Sequence, residues 1–75
     1  MLRVIDVDYL GDYSLFVSFS DGAKKTVDLK PHLVGEVFGE LLDKKKFIQY
    51  GLTRTTLVWA NGADLAPEFL HEIGV

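Results

Sequence analysis

The sequence predicts an α+β fold in two layers: a mostly antiparallel sheet of two hairpins plus a short strand, backed by two short helices. Three observations carry that expectation. Tyr13, Leu15, Val17 and Phe19 alternate with smaller or polar residues, the period of a strand with one wet face. A turn motif then occurs twice, at Phe19-Ser20-Asp21-Gly22-Ala23 and Trp59-Ala60-Asn61-Gly62-Ala63, its glycines 40 positions apart. Each copy has an aromatic three residues before the glycine, Asp or Asn just before it and Ala just after. Each runs on to Leu-x-Pro. Finally, Leu33, Val34, Val37, Phe38, Leu41 and Leu42 follow helical spacing.

The 75 residues predict a single domain, 1–75, with a small core. At the usual stability per residue such a chain gains about 4–11 kcal/mol on folding, so a partner could matter energetically. With no cysteine, disulfides and thiolate chemistry are excluded. No apolar run approaches the roughly 18 residues of a membrane span, and Asp6 and Asp8 make the start of the chain unlike a signal peptide. A cytoplasmic protein away from membranes is the expectation. A net charge of −3 argues against a nucleic-acid footprint.

In chain order, Leu2 to Leu10 reads as a strand with Ile5, Val7 and Tyr9 on its apolar face. Gly11-Asp12 turns the chain into Tyr13–Phe19, where Phe16 points outward with Ser14 and Ser18. The next hairpin's register follows from the pattern. A three-residue Ser20-Asp21-Gly22 loop pairs Leu15 with Val27 and Tyr13 with Leu29, whereas a two-residue loop would mix the faces. It requires Gly22 in a left-handed bulge, and the same holds for Gly62. Pro31 stops the strand. Gly35 and Gly39 limit the helix to about Glu36–Leu42, and Asp43 caps a turn through Lys44-Lys45-Lys46. A second hairpin, Phe47–Leu52 and Thr55–Trp59, is joined by Thr53-Arg54. Ala63–Leu65 adds a short strand. Pro67 opens a helix to Ile73, with Gly74 as its cap.

Phe19-Ser20-Asp21-Gly22, Val27-Asp28-Leu29-x-Pro31, Val37-Phe38, and above all Trp59-x-Asn61-Gly62-Ala63-Asp64-Leu65-x-Pro67-Glu68 resemble the small bacterial domain-of-unknown-function 2442 family. The resemblance covers nearly the whole chain. Ala60 stands where that pattern often has proline, which touches turn rigidity rather than chemistry. It implies a compact two-layer α+β domain. It also implies a partner protein, in arrangements like toxin–antitoxin pairs. No catalytic residues come with it.

Three groups of residues are candidate sites. Asp64, Glu68 and His71 could bind a divalent metal or act as acid and base, since Glu68 and His71 are spaced i, i+3 on one helix. The plainer alternative is a solvated helix face with Glu68 at the favourable N-terminal end. Lys44, Lys45 and Lys46 could form a basic patch for nucleic acid, or simply keep a surface soluble. Phe16, with Ser18 and Thr26 beside it, could anchor another protein or a second copy. Gly22, Trp59, Asn61, Gly62 and Pro67 read as structural, with the Trp59 indole N–H needing a carbonyl or water nearby. The balance favours a non-enzymatic binding module that needs no cofactor.

Overall fold

The structure is a computed structural model describing all 75 residues. Three strands, β1 (Val4–Gly11), β2 (Ser14–Phe19) and β3 (Lys24–Asp28), pair antiparallel in that order. A 3₁₀ turn at Lys30–His32 follows, then α1 (Gly35–Gly39), a second 3₁₀ turn at Glu40–Leu42 and α2 (Lys44–Phe47). A second antiparallel sheet comprises β4 (Tyr50–Leu52), β5 (Leu57–Trp59) and β6 (Asp64–Leu65). Helix α3 (Pro67–Ile73) follows. The strands thus divide into two meanders rather than one continuous sheet. No helix is long and apolar enough to cross a membrane.

The hairpin register follows the apolar pattern. Leu15 pairs with Val27, and the Leu29 N–H donates to the Tyr13 carbonyl at 2.9 Å. Each of the two repeated loops holds three residues. The Phe19 N–H donates to Ala23 O and the Gly22 N–H to Phe19 O; Trp59, Ala63 and Gly62 repeat both bonds. Gly22 and Gly62 have φ of 92° and 91°, and a side chain at the preceding position closes each turn. Asp21 Oδ1 accepts the Ala23 N–H at 2.9 Å, and Asn61 Oδ1 accepts the Ala63 N–H at 3.1 Å. Sequence repetition therefore corresponds to one turn built twice.

One cluster forms the core. Leu15, Val17, Phe19 and Val27 from the first sheet meet Leu57 and Trp59 from the second, with Leu41, Phe47 and Leu70 from the helical segments. Pro67 is also buried, at the first turn of α3.

Besides the division into two sheets and a third short helix, the structure departs from the sequence expectation in further places. In β1 Val4 and Val7 are buried while Ile5 is exposed, because a register shift between Val4 and Asp6 inserts one residue; Tyr9, opposite Leu15, keeps the apolar face with its ring 6.3 Å from Phe47 but is 40% exposed at the edge. A bulge breaks the period of two that alternation assumes. Phe47 closes α2 rather than opening β4, since the Asp43 side chain accepts the Lys45 N–H and starts a helical turn. The stripe after Leu33 is only half used: Leu33 and Leu41 are buried, but Val34, Val37 and Leu42 are exposed. The switch from α-helix to 3₁₀ turn at Glu40 rotates the later residues off a 3.6-residue period. Gly74 ends α3 with φ of −71°, outside the left-handed region. It is needed for space, because a Cβ there would lie 2.7 Å from Lys25 Cβ.

Candidate functional site

Strand pairing lays out the outer face of the first sheet in cross-strand rows. Phe16 stands between Asp8 and Thr26, and Ser18 between Asp6 and Lys24. Their neighbours Leu15 and Val17 are fully buried on the opposite face, whereas Phe16, Ser18 and Thr26 are half-buried and Asp6, Asp8 and Lys24 exposed. Phe16 is less exposed than a lone outward aromatic, because Asp8 and Thr26 flank it. The bulge in β1 adds Ile5 to the exposed residues at 56%, and Leu10 further along is 54% exposed. The bulge was invisible as alternation, so this apolar contribution was missed in the sequence.

The β1 side of this face is acidic. Burial pushes the Tyr50 phenol above its ordinary value, and the Asp8 and Asp6 carboxylates push it further, so both charges reach the seam between β1 and β4. The Asp6 carboxylate also accepts the Val7 N–H at 3.0 Å.

The terminal-helix candidates separate. Asp64 and Glu68 are exposed, and His71 is drawn to the first hairpin instead. Its Nε2 lies 3.0 Å from Asp21 Oδ2, and its Nδ1 lies 3.3 Å from Lys25 Nζ. Lys25 Nζ also donates to the His71 carbonyl at 2.7 Å, and the His71 ring sits edge-on to Phe19 at 4.8 Å. The Ala23 N–H and His71 hold the Asp21 carboxyl below its ordinary value. No three His, Cys, Asp or Glu side chains come close enough to hold a metal ion. Asp21 and Lys25 lie 50 and 46 residues from His71, a pairing that no sequence spacing encodes.

Two of the three α2 lysines face acids. Lys44 Nζ lies 2.8 Å from Asp12 Oδ1, which lowers the Asp12 carboxyl and raises the Lys44 amine, and Lys46 lies 4.0 Å from Glu40. Lys45 is exposed.

Trp59 is buried, and its indole N–H donates to Phe47 O at 2.9 Å. Asn61 Nδ2 donates to Val37 O at 3.0 Å, tying the second turn to α1. A cleft of about 260 Å³ lies above them, lined by Glu40, Leu41, Lys46, Gln49, Trp59 and Asn61. It is smaller than most small-molecule sites, at about 300–1,000 Å³. A second groove of about 370 Å³ is polar, but its Asp12 and Lys44 already pair with each other.

A family model described as "Protein of unknown function (DUF2442)" matches residues 4–74. The chain belongs to the DUF2442 family. The match spans both turns, the outer face and α3, so the DUF2442 pattern and the geometry above concern the same residues. Searches of curated proteins and of solved structures found no match.

Proposed function

We propose that this chain is a non-enzymatic protein-binding module, working in the bacterial cytoplasm, whose partner docks on the outer face of the first sheet. The observation that carries the reading is the face itself. Phe16 lies at the centre of β2, with Ile5 and Leu10 exposed on β1 and the Asp6 and Asp8 carboxylates alongside. An apolar anchor beside a charged rim is the arrangement that gives an interface both affinity and orientation. The complementary partner is a small protein presenting an apolar side chain flanked by lysine or arginine.

The test is affinity capture from the source cells with the wild-type chain and the Asp6→Lys/Asp8→Lys double variant, at moderate salt and after nuclease treatment. These exposed substitutions leave the core intact. The proposal expects one near-stoichiometric protein held by the wild type and lost with the variant. Equal capture by both chains would refute the assignment to this face.

A further inference from the structure

The strongest unexplained feature adjoins that face. The Thr26 N–H donates to the Val75 carbonyl at 2.8 Å, and the Val75 N–H donates to the Thr26 carbonyl at 2.9 Å. This reciprocal exchange is the hydrogen-bonded pair of an antiparallel ladder, made here by Val75, two residues past the end of α3. The segment is held by several contacts. Gly74 packs against Lys25, Lys25 Nζ donates to the His71 carbonyl, and His71 reaches Asp21 across the hairpin turn.

We infer that the outward edge of β3 is a strand-addition site, occupied in cis by Gly74–Val75 and open to an extended segment of the partner when they swing away. The inference rests on the protein-binding reading above and names how the partner enters. Thr26 belongs to both surfaces, its side chain in the row with Phe16 and its backbone on the edge. A strand added here continues the row Asp8–Phe16–Thr26 by one position.

The register fixes the partner's pattern. With one residue opposite Thr26, the residue two before it faces Asp28 and the residue two after it faces Lys24. The fitting segment is basic, any, β-branched, any, acidic. The β-branched residue takes the place of Val75, and the two charges meet opposite charges on β3. Lys24 guards the edge against indiscriminate pairing, so an acidic partner residue is what admits the strand. Because Val75 competes for the Thr26 backbone groups, apparent affinity is scaled down by the fraction of chains with the edge open.

The probe is a synthetic heptapeptide, Thr-Lys-Thr-Val-Thr-Glu-Thr, titrated into the full chain and followed by amide NMR. Its charge-swapped counterpart, Thr-Glu-Thr-Val-Thr-Lys-Thr, is the control. Saturable shifts confined to Lys24–Asp28 and Gly74–Val75 are expected, with the swapped peptide about fivefold weaker. Val75→Pro removes one of the two cis bonds and should tighten binding about threefold or more. Gly74→Ala, which drives a Cβ into Lys25, should do the same. Unmoved β3 amides in Val75→Pro, with its core spectrum unchanged, would overturn the inference. So would equal binding of the two peptides. If β3 stays unmoved while Asp6→Lys/Asp8→Lys still loses the captured protein, the edge site falls and the face reading stands.

Discussion

At the residue scale, Trp59 connects the two halves of the core. Its ring packs 5.8 Å from Phe47, and its indole N–H satisfies the Phe47 carbonyl where α2 ends. Trp59→Ala removes the packing and leaves that carbonyl unpaired, a loss of about 3–5 kcal/mol against a total of about 4–11. Scanning calorimetry should show a broad, weakened transition or none. The turn glycines fail differently. A Cβ at Gly22 or Gly62 would meet nothing within 4 Å, so any cost is in the backbone alone. Gly22→Val and Gly62→Val should each destabilise by more than about 1 kcal/mol in urea titrations, while Gly22→Asn loses much less, since asparagine tolerates positive φ. Both glycines were legible in the sequence because a repeated Asx-Gly pair has one economical explanation. Gly74 was not: its neighbour Lys25 is brought there only by tertiary folding.

At the scale of elements, the readable ones are those whose signals are local. Proline at the start of α3, Asp43 before α2 and the alternation in β2 each set a boundary through their own backbone chemistry. What escaped depends on context. The β1 bulge is defined against β2, and the exposure of Val34, Val37 and Leu42 depends on how α1 meets the sheets. The Asp43 cap gives a direct test. Asp43→Ala removes the acceptor for the Lys45 N–H and should destabilise by about 0.5–2 kcal/mol in urea denaturation. Asp43→Asn should restore most of the loss. An equal loss in both variants would mean that charge, rather than the hydrogen bond, sets the cap.

Across the whole molecule, long-range polar contacts fasten at the surface elements that the core joins inside. Lys44–Asp12 ties α2 to the β1–β2 turn, and His71–Asp21 ties α3 to the β2–β3 turn. Of the candidate site residues, Phe16, Ser18 and Thr26 share one face because a strand period places them there. Asp64, Glu68 and His71 do not converge, because His71 has a partner elsewhere. Both carboxyls in these ties are held below their ordinary value of 3.8, Asp12 mainly by the Lys44 hydrogen bond and Asp21 mainly by the Ala23 N–H. A lowered folded-state pKa contributes stability that is present above about 3.8 and is lost as pH falls through the folded value. Melting temperature should therefore decline below about pH 4, and the Asp12→Asn/Asp21→Asn variant should decline less steeply over the same interval.

The most direct test of the binding face is amide hydrogen exchange on the purified chain, alone and saturated with the protein it captures. Added protection over β1, β2 and β3, with little change in β4–β6, is the predicted footprint. Protection confined to α1, α2 and the second sheet, with β1–β3 unchanged, would contradict the account and move the interface to the opposite side of the fold.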